Sequence, residues 1–462
     1  MKEKPSDHVS RRQFIKTSAI ITGATVASQL IMPRAYGAGS DTLRVGVIGC
    51  GGRGTGATIN CMDADPGIEI VAIGDLFQDS IDRCLSKLQQ HVTPKMSEGD
   101  EKLTGGSTTT KKVGNGLMSD RAYQVKITED KCFSGFDAYK KVCDLPEVDV
   151  IITAAPPGFR PMHLDYAIRA GKHVFMEKPV AVDPVGVRSV IASAKLAKEK
   201  KLAIVAGTQR RHEAKYLETI ARIHDGQIGE VVSGQCYWNM GNLWTGRVEE
   251  NWANKEKWSQ MEWQIRNWLF IDWLSGDHIN EQHIHNLDVI NWAIGSVPKN
   301  IYGMGGRQVR TDPMWGNIYD HFAIEYEYEN GVRVQSMCRQ TDGCTRRVAE
   351  TVVGTKGIAY CNEGKIEGDK PWKFSGDMTN PYVVEHKDLI DSIRSGNLLN
   401  EGVRVAESNL TAICGRMSAY TGKKFKYSWA MKSSKLDLSP ATYAFGDNPL
   451  NPVPMPGQSN LS

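Results

Sequence analysis

Lys178 is the residue on which a chemical reading of this chain begins. It closes the stretch Ala170-Gly171-Lys172-His173-Val174-Phe175-Met176-Glu177-Lys178-Pro179, an apolar strand followed by a charged pair and a proline. Ligands of open parallel sheets bind outside the carboxyl ends of the strands, so an ammonium here stands where a substrate oxygen can be held. Pro179 biases Lys178 away from helical geometry and stops the strand. A second cluster lies in Gly276-Asp277-His278-Ile279-Asn280-Glu281-Gln282-His283-Ile284-His285-Asn286-Leu287-Asp288. One amphipathic helix is predicted over 277–292, on which Glu281 and His285, four apart, share a face and hydrogen-bond one another. An imidazole oriented by a carboxylate can take the proton of a hydroxyl, and a lysine beside it can bind or polarise the oxygen. Such a set suits the removal of hydride and proton from one carbinol.

The same histidines invite a metal reading, which the spacing does not support. H-x4-H-x-H with Glu281 is not H-E-x-x-H, and His283 is predicted to point away from the face of Glu281 and His285. No metal is expected, and His278 and His283 are read as structural or pocket-lining.

What must position these groups is legible upstream. Leu43-Arg44-Val45-Gly46-Val47-Ile48 reads as a buried strand, followed by Gly49-Cys50-Gly51-Gly52-Arg53-Gly54 and a helix-compatible run. This is G-x-G-x-x-G in its strand-turn-helix setting, with backbone N–H groups and a helix N-terminus facing a pyrophosphate. A second strand from Ile68 ends at Asp75, about 20 residues after the last glycine, where a carboxylate receives ribose hydroxyls and repels a 2′-phosphate. The expected cofactor is therefore NAD. NADP is not excluded, since Arg53 lies close to the phosphate loop. Pro156, at the end of the strand through Thr153, is a further cofactor-side candidate.

Strands and helices alternate up to about residue 210, which argues a doubly wound parallel sheet. A Gly-, Ser-, Thr- and Lys-rich run from about 93 to 122 interrupts it as a surface insertion. Beyond 211 the pattern changes to strand-like segments beginning near Val231, Asn300, His321, Val332 and Ala349, with Glu329-Asn330-Gly331 as a hairpin turn and helices over 382–395 and 403–421. This predicts an α+β domain on a large, open, mostly antiparallel sheet over 211–430, after a dinucleotide-binding domain over 41–210, with a tail from 431 to 462.

The chain has 462 residues, a net charge of +3 and ordinary apolar and charged fractions, with no basic stripe interleaved with aromatics. A small-molecule partner is expected, and no nucleic acid. Ser10-Arg11-Arg12-Gln13-Phe14-Ile15-Lys16 reads as a twin-arginine motif, followed by a mildly apolar run and small residues near Gly37 and Ala38. Residues 1–38 are expected to be an export signal to the periplasm, leaving no stable membrane span after its removal. Twin-arginine export carries folded proteins, and a periplasm offers no pool of free nicotinamide nucleotide. An exported enzyme of this kind is expected to keep its cofactor bound and recycle it in place. The ten cysteines show no C-x-x-C or metal-type spacing and are expected as free thiols.

The G-x-G-x-x-G opening, the A-G-K-H-V-x-x-E-K-P stretch and a helix similar to D-x-G-x-H-x-x-D resemble the Gfo/Idh/MocA family over nearly the whole mature chain. The resemblance implies a Rossmann domain, an α/β substrate domain whose open sheet builds oligomers (a dimer or tetramer), and NAD(P)-linked oxidation or reduction of sugars, cyclitols or their derivatives. It gives Lys178 and His285 the catalytic roles, makes Glu177 the partner of Lys178, and matches Asp288 to the acid that follows the histidine. Glu281 stands where the family usually has Asp, and His283 where it usually has Gly. The cofactor set is Gly49, Gly51, Gly52, Arg53, Gly54, Asp75, Pro156, Glu177 and Lys178.

Seven tryptophans lie between Trp238 and Trp273. Apolar rings stack on the C–H faces of pyranoses, so one or two, Trp273 foremost, are expected against a carbohydrate. Arg210 and Arg211, just past a strand end, could grip hydroxyls or an acid or could serve as domain-hinge ion-pair partners. The substrate set is thus Lys178, Arg210, Arg211, Trp273, Glu281 and His285. The leading expectation is an exported sugar, glycoside or cyclitol oxidoreductase. The family resemblance supplies an alternative, an NAD-dependent glycosidase that works by transient ring oxidation and elimination. A non-catalytic NAD-binding sugar sensor or scaffold is a third reading, which the presence of both Lys178 and His285 disfavours.

Overall fold

The computed structural model describes residues 42–93 and 124–460. The twin-arginine segment, and all of the expected insertion except Thr93, lie outside the described residues.

Six parallel strands form the first sheet: β1 (Leu43–Ile48), β2 (Ile68–Asp75), β3 (Cys132–Ser134), β4 (Val150–Thr153), β5 (His173–Met176) and β6 (Ile204–Ala206). Their order is β3-β2-β1-β4-β5-β6, the doubly wound arrangement with its crevice beyond β1 and β4. The central strands are near-continuous apolar runs because helices cover both sheet faces. Leu43, Val45 and Val47 of β1 are fully buried, as are Ile151 and Ile152 of β4. The helices are α1 (Gly52–Ala64), α2 (Gln78–Val92), α3 (Ala138–Asp144), α4 (Arg160–Arg169) and α5 (Pro184–Glu199). Just after the run that interrupts this layer, Val125 makes one isolated parallel bridge to Ile70.

The second sheet has nine strands: β7 (Val231–Met240), β8 (Asn300–Gly306), β9 (His321–Glu327), β10 (Arg333–Gln340), β11 (Arg347–Gly354), β12 (Gly357–Tyr360), β13 (Lys365–Gly368), β14 (Trp372–Lys373) and β15 (Phe425–Lys426). Only the β7–β10 pairing is parallel. Its helices are α6 (Ala214–His224), α7 (Thr245–Ala253), α8 (Gln260–Arg266), α9 (Asp272–Ser275), α10 (His278–Glu281), α11 (Ile284–Ile294), α12 (Pro381–Ser395), α13 (Gly402–Thr421) and α14 (Tyr427–Lys432). Helix α13 is buried along nearly its whole length because it packs on α5 of the first layer and on β8 and α11 of the second. Its Asn409 side chain accepts from the backbone N–H groups of Val180 and Ala181, just after Lys178, and so ties that strand exit to the second layer.

The single helix expected over 277–292 is two helices. The ladder slips at Gln282 and His283: the His283 N–H reaches back to His278 O, five residues away, and the His285 N–H bonds Gln282 O instead of Glu281 O. A slipped turn of this kind rotates the helix after it, so Glu281 and His285 no longer share a face.

Candidate active site

Strand β5 delivers Glu177 and Lys178 to the crevice. The slipped turn leaves the Glu281 carbonyl without a helical partner, and Lys178 Nζ donates to it at 2.7 Å. The same ammonium lies 3.3 Å from Glu281 Oε2. Burial pushes the Glu281 carboxyl up, against the pull of Lys178 and of Arg160. Arg160, from α4, also donates to the carbonyl of Pro179 and so fixes the turn after the lysine.

The expected hydrogen bond between Glu281 and His285 is not formed, because the turn between them is slipped. The His285 ring instead stacks on Trp238 of β7, with centroids 5.9 Å apart and an interplanar angle of 24°. Burial drives its pKa well below the usual value, and the charges of Lys178 and Arg210 drive it further. His285 is therefore a neutral imidazole beside a cation. The glutamate thus anchors the lysine, and the histidine rests on Trp238 instead of on a carboxylate.

Neither neighbouring arginine is free. Arg210 is buried and paired with Glu350, which also accepts from Asn286 Nδ2 at 2.5 Å. Its guanidinium lies over the Trp238 ring, so it backs the ring on which His285 rests. Arg211 binds Asp288 through Nε at 2.8 Å and covers Trp292. Burial opposes the charge of Asp288, but Arg211 and Arg404 hold its carboxyl down at about 2. Arg211 and Asp288 thus form an internal ion pair between the segment after β6 and helix α11. Trp273 corrects the substrate reading as well: it is buried, its Nε1 donates to Gln264 Oε1 at 2.7 Å, and its ring packs on Phe159. A tryptophan so enclosed has no face left for a sugar; of the same seven, Trp238 is the ring that stacks with His285.

His283 Nε2 lies 2.7 Å from Ser336 Oγ, and His278 Nδ1 lies 3.0 Å from Asp277 Oδ1. Among the described residues no three His, Cys, Asp or Glu side chains are placed to hold a metal. All ten cysteines are free, and no described helix is long and apolar enough to cross a membrane.

A cavity of about 360 Å³ is lined by Gly49, Gly51, Gly52, Arg53, Asp75 and Pro156 among others; Lys178, Glu177, Glu281 and His285 do not line it, and Arg53, paired with Glu177, links it to them. Gly49, at φ +94°, passes so close to Ala155 that a Cβ would meet its backbone N at 2.4 Å. Gly54 does not line the cavity; its Cα hydrogens face Gly49 O, where a Cβ would come within 1.8 Å, so it allows α1 to pack on the loop. Above Gly51 and Gly52 a Cβ would meet no protein atom within 4 Å, and the N-terminus of α1 opens there. This exposed turn is a cradle of the shape and polarity that a dinucleotide pyrophosphate takes. Asp75 accepts from the N–H groups of Cys50 at 2.7 Å and Phe77 at 2.9 Å, which hold its carboxylate at the ribose end. The residues fit NAD. Arg53 is turned away from an extra phosphate: its Nε lies 2.8 Å from the buried Glu177 and its guanidinium covers Tyr382. Glu385 of α12 is fully buried behind this pair; burial and the charge of Glu177 push its carboxyl well above the usual range. Glu350, Tyr382 and Glu385 come from distant elements and left no local mark in the sequence.

Residues 43–207 match the family model described as "Oxidoreductase family, NAD-binding Rossmann fold", and residues 216–360 match the GFO/IDH/MocA C-terminal domain. Among curated proteins the chain is 26% identical over 55% of its length to 2,7-anhydro-N-acetylneuraminate hydratase of Escherichia coli, covering 62% of that protein. It is 23% identical over 49% of its length to a glycosyl hydrolase family 109 protein of Shewanella pealeana, covering 45% of it. To inositol 2-dehydrogenase of Pseudomonas syringae it is 24% identical over 55% of its length, covering 69% of that protein. The chain thus spans less than two thirds of the first two. In fold it is similar to scyllo-inositol dehydrogenase of Lactobacillus casei, solved with bound NAD(H) and scyllo-inositol, with a TM-score of 0.58, 15% identity and coverage of 84% of this chain and 99% of that one.

Proposed function

We propose, for a chain that belongs to the Gfo/Idh/MocA oxidoreductase family, NAD-dependent oxidation or reduction at a ring carbinol of a sugar, glycoside or cyclitol. The observation that carries this reading is Lys178, held at the carboxyl end of β5 by Glu281 and close enough to a neutral His285 to depress its pKa, on the same crevice whose glycine loop lines the dinucleotide cavity. When bound, NAD supplies the acceptor for the hydride of the carbinol carbon. Lys178, held by the carbonyl and carboxylate of Glu281, keeps its ammonium aimed at the substrate oxygen and stabilises the negative charge that grows there. His285, unprotonated and seated on Trp238, takes the hydroxyl proton at a ring nitrogen. In the return direction His285 gives that proton back to the carbonyl oxygen.

Three finer parts of the proposal have separate support. Export through the twin-arginine route rests on Ser10-Arg11-Arg12 and its flanks, and it entails a tightly held cofactor that a second carbonyl substrate regenerates. Homo-oligomer formation is supported by the solvent face of the second sheet. There Tyr237, Met337, Ala323 and Met304 form one cross-strand row, with Met304 64% and Met337 41% exposed. The likeness to a glycosyl hydrolase family 109 protein favours a second reading, in which ring oxidation is transient and an aglycone leaves by elimination. The deciding experiment adds sugars and chromogenic glycosides to the NAD-loaded protein and monitors both NADH and aglycone. Net NADH supports the oxidoreductase, and aglycone without net NADH the glycosidase.

A further inference from the structure

The cavity has a second wall that no cofactor motif explains. Besides Asp75, Phe77 and Arg83, its lining includes Trp244, Arg247 and Trp268, all from the α7–α8 arm of the second layer. We propose that this arm and the carboxy-terminal tail form a clasp that retains the phosphate-bearing adenosine half of the dinucleotide, with Arg247 as its anion-binding group. The proposal rests on the NAD-binding reading above and assigns to the arm what the fingerprint loop alone does not provide: slow release.

Two joints hold the clasp shut. Arg266, at the end of α8, is fixed by Glu262 at 3.0 Å and reaches across to the first layer, where it covers the Phe77 ring at 3.9 Å and lies 3.7 Å from Asp79. Phe445 of the tail closes the same side, 6.1 Å from the Phe77 ring and 5.2 Å from Phe136. The tail is bolted to the arm as well: Gly446 O accepts from Met261 N at 3.1 Å, and the Asn448 N–H donates to Gln260 Oε1 at 2.9 Å. A dinucleotide seated on Gly51 and Gly52 can leave past this wall only when these joints open.

Charge identifies what the wall receives. Arg83 is paired with Asp79 and Arg266 with Glu262, whereas no carboxylate lies within ion-pair distance of Arg247 among the described residues. Arg247 rests on the Trp244 ring, and among the described residues its guanidinium bonds Arg266 O, at 3.3 Å. Burial and then the neighbouring charges of Arg83 and Arg266 lower its pKa, against the weaker pull of Glu250 and Asp79, so Arg247 is the one of the three guanidiniums here without a carboxylate at ion-pair distance among the described residues. A nucleotide phosphate fills that place.

Nucleotide release is the direct test. The full-length protein is loaded with NADH or NADPH, desalted and chased with excess NAD, and the fall in bound-nucleotide fluorescence gives the off-rate; acid extraction gives the nucleotide held per chain. The wild type is expected to keep near-stoichiometric nucleotide through desalting. Phe445→Ala, at a half-exposed position that the fold tolerates, and Arg266→Ala are each expected to release NADH about tenfold faster or more, the scale of one lost well-packed contact. Arg247→Ala is expected to do the same. A similar loss for NADH and NADPH identifies the diphosphate, which both carry, as its partner, and a loss confined to NADPH identifies the 2′-phosphate. Equal off-rates in wild type and all three variants would overturn the clasp. So would a wild type that exchanges nucleotide within the mixing time, and if that protein still reduced NAD with a sugar, the oxidoreductase reading would stand while the clasp fell.

Discussion

Lys178 Nζ lies 2.7 Å from the main-chain oxygen of Glu281 because the helix that carries Glu281 slips one residue before His285. One irregularity thus does two things. It gives the ammonium a fixed acceptor, and it turns His285 away from the carboxylate and onto Trp238.

Replacing Lys178 removes the group that bears the developing charge. Lys178→Ala is expected to lower the single-turnover rate of hydride transfer by about 10²–10⁴-fold, with a fall in the melting temperature of the apo protein because the buried Glu281 loses its cation. Lys178→Arg should recover little, because the carbonyl and carboxylate of Glu281 suit a compact ammonium. Stopped-flow absorbance with calorimetry on the same preparations checks both halves.

The depressed pKa of His285 fixes the direction of the pH profile. A base that burial and the charge of Lys178 keep neutral loses its function only when acid protonates it, so the acidic limb of kcat/KM is expected well below pH 6.5. Lys178→Met removes one depressing charge, and the limb of its residual activity should move upward. A limb at the ordinary histidine value in the wild type would contradict the assignment of His285 as the base.

The glycine fingerprint separates into two kinds of position. Gly54→Ala places a Cβ 1.8 Å from Gly49 O, and the apo protein is expected to lose about 1–3 kcal/mol or more. Gly51→Ala meets no protein atom within 4 Å, so its melting temperature should hold while NAD affinity falls about tenfold or more. Thermal melts with and without NAD distinguish the two.

His212 provides a stability prediction independent of catalysis. It lies 2.5 Å from Asp388 and 3.8 Å from Glu401; burial works against its charge, but the two carboxylates raise its pKa to about 9. A histidine raised on folding stabilises fully below its unfolded pKa, near 6.5, and loses that contribution as pH climbs through about 9. Allowing for the exposed Asp388, the loss is roughly 1–3 kcal/mol. Denaturant melts between pH 6 and 10 should show it in the wild type and not in His212→Gln.

The Rossmann layer was legible because its signals are local. Strand β1, the glycine turn and Asp75 follow one another within a single βαβ unit, and each has a backbone reason to be where it is. The antiparallel layer was legible in outline from period-two alternation, as in β10, where Arg333, Gln335 and Met337 face out and Val334, Ser336 and Cys338 face in. The slipped turn at Gln282 and His283 was not, since no Pro or Gly marks it; tertiary contacts impose it, among them Lys178 on the freed carbonyl and Ser336 on His283. Pairing of residues far apart in sequence, such as Arg210 with Glu350 or Arg53 with Glu177, is set by packing and leaves no spacing to read. Trp273 misled for the same reason: a tryptophan near a catalytic helix serves a core as readily as a pocket, and only Gln264 on its Nε1 decides.

The central claim is that Lys178 and His285 serve hydride transfer between a sugar-like carbinol and NAD. Its most direct test is the absorbance of the purified, NAD-loaded protein as sugars, glycosides and cyclitols are added, with Lys178→Ala alongside. The account predicts a rise in the NADH band with at least one compound, reversed by a second carbonyl sugar and absent from the variant. A loaded wild type whose spectrum no compound changes, and which releases no aglycone, would contradict it.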